Sequence, residues 1–335
     1  MAEPDWLKNP VEGDYVETEE GLYFTVKGTI HPEGFVVAYL RYLPDPNGER
    51  GKGDLRYRRV YEIGETTRFL DAHFPHYLNR VESTGMILQT VPVERIARIY
   101  SPRERLKTTM ERADSDLEKA TARLASALSG EGVPADMMGV SGSMLIGLDR
   151  PSSDVDLIVY GREAGSRAYA ALRELREGED WLGPYDFKTV QGVLRSRWGD
   201  SGRNLDMLAL IELGKVLHGF VDGREYFVRL VREPDAGEHG EVSRPMGTAV
   251  VRATIVDDRD SIYTPCTYRL DEARLLEPTG GPLIRELVSF RGKFTEQAER
   301  GNIVEARGTL ERVSSRSRTR HRLMLGSPGD YLGPL

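Results

Sequence analysis

The sequence has little cysteine and no long apolar run, and both absences narrow the classes of protein it can encode. Cys266 is the one cysteine in 335 residues, which excludes an internal disulfide framework and is typical of a reducing compartment. No apolar stretch approaches the roughly 20 residues that cross a bilayer. The acidic start, Met-Ala-Glu-Pro-Asp-Trp, also lacks the basic and apolar regions of a signal peptide. We therefore expect a cytoplasmic protein without a membrane partner.

Positive charge is in deficit as well. The formal net charge of −7 argues against a protein that coats nucleic acid nonspecifically, although a local basic groove can still form. Hydrophobic residues make up 39% and charged residues 30% of the chain, a balance typical of folded globular proteins. The length allows two or three domains with cores of their own.

Residues 1–100 have the pattern of a separate N-terminal α/β domain. Aromatic and β-branched residues predict strands over 22–27 and 35–40. The segment Arg56-Tyr57-Arg58-Arg59-Val60-Tyr61 alternates basic and aromatic residues. Arg56 and Arg58 are therefore candidates to contact nucleic-acid phosphates while the tyrosines stack on bases. The alternative is an edge strand with its arginines in solvent, and composition favours that alternative.

Residues 101–232 are predicted to form a central domain. Ser101 and Pro102 are good helix-start residues, and the apolar spacing extends that helix to Leu128. Further helices are expected over 166–176 and 187–198. A strand is expected over 204–211, with Asp206 inside its apolar run, and a short element over 225–231.

Residues 234–245 read as a linker, and residues 246–335 as a β-rich C-terminal domain. The expected strands are 248–256, 266–276, 287–294, 303–313 and 320–325. Five strands in this length suggest a small barrel, similar to the OB-fold. Arg316, Arg318 and Arg320 belong to a basic cluster near the last strands, which is either a solvated hairpin or a contact to the backbone of RNA or DNA.

The segment 139–161 contains the residues most indicative of a catalytic or metal-binding site. A Gly142-Ser143 turn is followed by a short helical segment, a loop, and then Asp154-Val155-Asp156 at the start of an apolar strand. Residues i and i+2 of a strand share a face, so the two carboxylates repel unless a cation lies between them. Paired carboxylates suit Mg²⁺, or Mn²⁺, together with substrate phosphates, and the Gly-Ser turn offers N–H groups to phosphate oxygens. The alternative is structural, with Asp154 capping a turn and Asp156 bonded to a backbone N–H.

These residues together resemble the signature of the DNA polymerase β-like nucleotidyltransferase superfamily. The resemblance implies an α/β (α+β) fold whose central domain is a mixed sheet flanked by helices, with a two-metal phosphoryl-transfer site. It implies that Asp154 and Asp156 hold Mg²⁺ and that a third carboxylate comes from a neighbouring strand. By position Asp206 is the candidate, although a structural, ion-paired Asp206 is an even alternative. Nucleotide contacts are implied for Gly142, Ser143, Arg150 and Ser153.

One departure from the family pattern bears on the substrate. Many members carry a basic residue in the short helix, whereas the helix in this chain reads Met144-Leu145-Ile146-Gly147-Leu148. The expected activity is transfer of a nucleoside monophosphate from an NTP to an acceptor, RNA being favoured, with release of pyrophosphate. The alternative is a nucleotide-sensing or nucleic-acid-binding regulatory protein whose transferase domain is catalytically weak.

Overall fold

The structure, a computed structural model, describes residues 10–198, 205–234, 240–316 and 318–335. It is mixed α+β, as the sequence predicts, and it divides into two compact units, Met1–Tyr160 and Gly161–Leu335. The division falls inside the predicted central domain, so the three-domain layout stays a prediction.

The first unit is built mainly on one antiparallel sheet. Its strands are β1 (Tyr15–Thr18), β2 (Tyr23–Val26), β3 (Phe35–Pro44), β4 (Arg50–Lys52), β5 (Leu55–Arg59), β6 (Leu78–Val81), β7 (Met86–Pro92), β8 (Ile96–Tyr100), β9 (Met138–Val140) and β10 (Val155–Tyr160). Its helices are α1 (Ile63–His73), α2 (Pro102–Glu111), α3 (Asp116–Gly130) and α4 (Gly142–Leu145). The sheet order is β4-β5-β3-β2-β1-β8, with β7 added to β3 and β6 to β7. The predicted strands around residues 22–27 and 35–40 are confirmed as β2 and β3.

A β-bulge in β3 gives this sheet two different faces. Tyr23 pairs with Tyr42, but the next residue, Phe24, pairs with Leu40, so Arg41 is the extra residue. On one face Leu40 and Phe24 join an apolar core. Because of the bulge, Tyr42 lies on the other face. The residues that share that second cluster are Tyr15, Tyr23, Tyr42, Tyr57, Leu145, Ile146 and Leu148.

The single helix predicted from Ser101 to Leu128 is wrong, because the chain forms two helices there. The α2 helix ends at Glu111, and α3 begins after a new cap at Ser115. The Ser115 hydroxyl accepts from the Glu118 N–H at 3.2 Å, and the Glu118 carboxylate accepts from the Ser115 N–H at 2.9 Å. This capping box satisfies N–H groups that the first turn leaves without helical acceptors, and it therefore starts a separate helix.

The second unit contains the remaining elements. Its strands are β11 (Leu182–Gly183), β12 (His218–Val221), β13 (Arg224–Val231), β14 (Val242–Asp257), β15 (Tyr263–Thr264), β16 (Cys266–Glu277), β17 (Ile284–Ser289), β18 (Ile303–Ser314), β19 (Thr319–Leu325) and β20 (Tyr331–Pro334). Its helices are α5 (Arg162–Gly178), α6 (Phe187–Trp198) and α7 (Leu205–Gly214). Among the residues that the structure describes, no helix combines the length and the apolar character that crossing a membrane requires.

The C-terminal strands close on themselves. Their pairings run β14-β16-β17-β19-β18 and return from β18 to β14, and β20 adds to β18. The β14 strand begins at Val242, inside the predicted linker, while residues 235–239 of that linker lie outside the described residues. The ring leaves few free strand edges. Its interior packs with α6 and α7 in one core that includes Trp198, Leu208, Tyr268, Leu287 and Leu323.

The strand predicted over 204–211 is wrong. Residues 205–214 form α7, because Leu, Met, Ala and Glu are strong helix formers and the run holds few β-branched residues. Asp206 lies in the first turn of this helix and is exposed. A carboxylate at that position is favoured by the helix dipole.

A buried network of charged groups joins α6 and α7 to the barrel of the second unit. The Glu212 carboxylate accepts from Trp198 Nε1 at 3.1 Å and from Lys215 Nζ at 3.0 Å. Lys215 Nζ also donates to the Lys293 carbonyl at 2.8 Å, in the turn that follows β17. Glu212, Lys215 and His218 are each 1% exposed, so removal of one partner leaves another charge buried.

We expect Glu212→Ala to lower the free energy of unfolding by about 3–5 kcal/mol, because it leaves the Lys215 ammonium buried without its carboxylate. Urea unfolding followed by tryptophan fluorescence measures this loss. Glu174→Ala, which removes an exposed carboxylate from α5, is the matched control and should change stability by less than about 0.5 kcal/mol. Equal midpoints for the two variants would contradict a structural role for the network.

Candidate functional site

The two carboxylates lie at the start of β10, in an antiparallel hairpin with β9. Val140 pairs with Leu157 and Met138 with Val159. The strand begins at Val155, so Asp154 immediately precedes it and Asp156 is its second residue. Val155 and Leu157 are buried while both aspartates are half-buried. Burial thus alternates along the segment, and the two carboxylates share one face.

The Asp156 carboxylate lies directly against Gly142. Gly142 has a φ of +65°, and a Cβ added to it would lie 1.9 Å from Asp156 Oδ2. The Ser141 N–H donates to the Asp156 carbonyl at 2.9 Å, which fixes the turn against the strand. Any residue other than glycine must displace the carboxylate and also adopt a strained backbone.

The loop before Asp154 is held by the Ser153 hydroxyl. Ser153 Oγ accepts from the Arg150 N–H at 2.9 Å and from Ser143 Oγ at 3.3 Å. Both serines are buried, whereas the Arg150 side chain is exposed. The Leu148 N–H donates to the Ser143 carbonyl at 2.9 Å. The structure thus brings together the residues predicted to contact nucleotide and the carboxylate pair.

Sequence reasoning missed Arg50, which reaches this loop from β4. Arg50 is 4% exposed, and its Nη1 donates to the Leu148 carbonyl at 3.0 Å and to Ser153 Oγ at 3.1 Å. Its Nε is buried and has no hydrogen-bond partner among the described residues. That nitrogen lies 3.6 Å from Glu49 Oε1, which is within ion-pair distance. Because a guanidinium stays protonated in proteins, Arg50 places a fixed positive charge beside the loop.

Arg59, at the end of β5, lies in the basic and aromatic segment 56–61 that the sequence singles out, but it is not among the residues predicted to contact phosphate. Its backbone pairs with Tyr42, and its guanidinium lies 4.5 Å from the centre of the Tyr61 ring. Burial opposes its charge, but the nearby phenols of Tyr42, Tyr61 and Tyr15 and the Asp156 carboxylate outweigh burial and raise the pKa of Arg59. Burial raises the pKa of Tyr42 above its usual value.

The predicted nucleic-acid residues are distributed over both units. Arg56 Nε donates to the Gly48 carbonyl at 2.9 Å, and Arg58 pairs with Asp45 at 3.4 Å and Glu65 at 2.7 Å. Arg316 and Arg318 are exposed. Arg320 is held by Glu241 at 2.5 Å and Glu286 at 2.8 Å, so its charge is already neutralised within the barrel.

The chain is similar to an uncharacterized protein of Methanocaldococcus jannaschii. The two are 29% identical over 328 residues, which cover 94% of each chain. No family model matches the sequence. The similarity extends over both units and carries no assigned activity.

The donor set at the carboxylate pair is small. In the described parts of the chain, no group of three or more His, Cys, Asp or Glu side chains is arranged to hold a metal ion. Asp206 belongs to the second unit, on α7, while Asp154 and Asp156 belong to the first. Two carboxylates on one face fit Mg²⁺, which usually keeps several waters and completes its coordination with substrate phosphates.

The hairpin is also tied to the turn before β1. Ser141 Oγ donates to the Gly13 carbonyl at 2.9 Å, and the Tyr160 hydroxyl donates to the Glu12 carbonyl at 3.3 Å. Asp14, next in this turn, accepts from the Val11 N–H at 2.9 Å. Burial raises the pKa of Asp14 to about 7, so this carboxyl group, in the turn that supports β10, is protonated in the folded protein at acidic pH and ionises near neutrality.

The shifted pKa of Asp14 predicts a pH dependence of stability. The folded-state pKa of about 7 exceeds the 3.8 of an unperturbed aspartate. The unfolded chain therefore releases a proton that the folded state keeps, and the stabilisation is complete below about pH 4 and lost as the pH rises to 7.

Asp14→Asn keeps the oxygen that accepts from Val11 and removes the proton that can be lost. We expect the variant to be more stable than wild type at about pH 8, by up to roughly 4 kcal/mol. Near pH 4 the two should unfold alike. Urea midpoints across this range measure the difference, with Asp71→Asn at an exposed position of α1 as the control. Parallel profiles for Asp14→Asn and wild type would refute the shift.

The contact between Gly142 and Asp156 can be isolated by two alanine substitutions. Gly147, in the same loop, has a φ of +68°, and nothing in the described structure lies within 4 Å of an added Cβ. Gly147→Ala therefore adds only backbone strain of about 1–2 kcal/mol. Gly142→Ala adds the clash with Asp156 and should cost roughly 1–3 kcal/mol more in urea unfolding. Equal losses would show that the carboxylate does not rest against Gly142.

Proposed function

We propose that the protein is a metal-dependent nucleotidyltransferase, which moves a nucleoside monophosphate from an NTP to an acceptor and releases pyrophosphate. The observation that carries the proposal is the Asp156 carboxylate against Gly142, where a Cβ would lie 1.9 Å from Oδ2. The tight turn places the Gly-Ser backbone beside the carboxylate pair. Phosphoryl transfer depends mainly on such positioning and on charge neutralisation.

Different residues of the first unit are proposed to bind the metal and to shape the phosphate-binding loop. Asp154 and Asp156 are proposed to hold Mg²⁺, which when bound neutralises triphosphate charge and orients the reacting phosphate. Gly142 lets the chain approach phosphate oxygens closely, and Ser143 and Ser153 keep the loop in shape. Asp206 lies on a helix and not on the neighbouring strand that the sequence predicts, so we propose that the carboxylate pair alone holds the metal.

RNA is the proposed acceptor. The five-stranded ring of the second unit supports this proposal, because OB-type barrels of five strands bind oligonucleotides on their surface and loops. Arg316 and Arg318 are exposed in the connection between β18 and β19. Arg318 Nη2 lies 3.8 Å from Glu241 Oε1, but both side chains reach solvent and can contact phosphates. Arg320 is not part of this proposal, since two carboxylates hold its guanidinium.

A second candidate is nucleotide sensing without turnover. It is favoured by the small donor set, because the described residues provide no cluster of three metal-ligating side chains. A protein of this kind binds an NTP at the same site and transmits binding to a partner. Nucleotide affinity without pyrophosphate release separates it from the transferase.

The transferase proposal is tested with labelled NTPs, Mg²⁺ and a pool of RNAs, with pyrophosphate release and label transfer as readouts. Asp154→Asn combined with Asp156→Asn should lower the rate at least about 100-fold, as expected when charge stabilisation of the transition state is removed. Asp149→Asn, at an exposed position of the same loop, is the control and should retain the wild-type rate.

The possible outcomes separate the candidates. Pyrophosphate release that persists after both aspartates are replaced would show that the carboxylate pair is not the catalytic site. Tight NTP binding with no release in the presence of any RNA supports the sensing function. Label transfer to protein in place of RNA would retain the activity and replace the acceptor.

A further inference from the structure

We infer that Arg59 of the N-terminal sheet binds the polyphosphate of the nucleotide, in the role that a basic residue of the short helix would otherwise fill, and that Arg50 positions the loop for it. This inference rests on the proposed nucleotide site. Arg59 and Arg50 are the groups that would make the site select a triphosphate. Arg50 and Arg59 together are called the arginine wall.

The charge distribution of the first unit leads to this assignment. The segment from Met144 to Leu148, which begins within α4, contains no basic residue. The arginine wall supplies two positive charges from β4 and β5, against three carboxylates: those of Asp154 and Asp156, and that of Glu49, which pairs with Arg50 at 3.6 Å. A bound divalent cation then leaves the region positive overall, which favours a ligand with several negative charges.

Both members of the arginine wall have unused hydrogen-bonding capacity. The Nε atoms of Arg50 and Arg59 are buried and lack a hydrogen-bond partner within the described residues. A buried donor without an acceptor costs free energy and calls for an explanation. Phosphate oxygens are the acceptors that a guanidinium binds best, often through two parallel hydrogen bonds.

The two arginines differ in role because they differ in burial and in contacts. Arg50 is buried, with 4% of its surface exposed. Its guanidinium donates to the Leu148 carbonyl and to Ser153 Oγ. It acts through the loop and is a positioning residue. Arg59 is half-buried, and no carboxylate in the described structure lies within ion-pair distance of its guanidinium. The Tyr61 ring, 4.5 Å away, restricts its orientation, so Arg59 is ready to contact an anion directly.

Calorimetric titration with a non-hydrolysable ATP analogue, ADP and AMP tests the inference on the full chain. Wild type should prefer the triphosphate to the monophosphate. Arg59→Ala should weaken triphosphate binding roughly 10- to 100-fold, the range for loss of a charged hydrogen bond, and should change AMP binding far less. Arg59→Lys keeps the positive charge but loses the planar, two-pronged guanidinium. Its triphosphate affinity should therefore lie between those of wild type and Arg59→Ala.

Two comparisons make the titration specific. Arg68→Ala is the control, because Arg68 is an exposed arginine of α1 with no role in the proposed site; its triphosphate preference should equal that of wild type. Titration in EDTA removes the divalent cation, and the preference that remains should still depend on Arg59. For Arg50→Gln, pyrophosphate release should show a lower kcat with a smaller change in KM, as expected for a positioning residue.

The failures of the two proposals are distinguishable. If wild type binds the triphosphate and Arg59→Ala keeps the same preference, the role of the arginine wall is overturned while the nucleotide site stands. If wild type binds none of the three nucleotides, both proposals are overturned. Thermal unfolding of each variant is recorded alongside, and Arg59→Lys provides the decisive titration if Arg59→Ala does not fold.

Discussion

The hydrogen bonds of one buried guanidinium hold the first unit together around its carboxylates. Arg50 donates to the Leu148 carbonyl and to Ser153 Oγ, and four tyrosines of the sheet pack on Leu145, Ile146 and Leu148 next to it. These apolar surroundings lower the local dielectric constant and strengthen both hydrogen bonds of Arg50. They also make a buried charge without a partner energetically costly. The N-terminal sheet and the carboxylate hairpin therefore belong to one compact unit, which ends at Tyr160.

Opposite charges in this unit come from different parts of the chain. The carboxylates lie on the β9–β10 hairpin, whereas the arginines come from β4 and β5. Their positions are set by the fold before any ligand binds, and Asp156 is fixed by its contact with Gly142. A prearranged set of charges needs little reorganisation during a reaction, which is the main advantage that a protein site has over water.

Local signals in the sequence were sufficient for part of this arrangement. The alternation around Asp154 and Asp156, the strands β2 and β3 and the helix α6 follow from periodicity within short windows. Ser115 and Glu118 encode the break between α2 and α3, but the apolar spacing that continues to Leu128 predicts one helix across it. The sequence predicts a strand where α7 forms, because a short apolar run fits a strand or a helix equally well. Arg50 has no local signal, since it meets its partners 98 and 103 residues later in the chain, and the alternation over 56–61 does not separate Arg59 from Arg56 and Arg58. The bulge at Arg41, which turns Tyr42 toward the site, likewise has no local signature.

Arg50 and Ser153 are separated by 103 residues, so during synthesis Arg50 must wait for its hydrogen-bond partner to be made. A ribosome that adds about 5–20 residues per second needs roughly 5–20 s to make the intervening chain. During that interval the nascent sheet displays the tyrosine face around Tyr23 and Tyr42 without the apolar turn that covers it. Exposed apolar surface on a partly made chain is where chaperones bind and where aggregation begins. The growing polypeptide is therefore exposed to aggregation at this face until the carboxylate hairpin emerges from the ribosome.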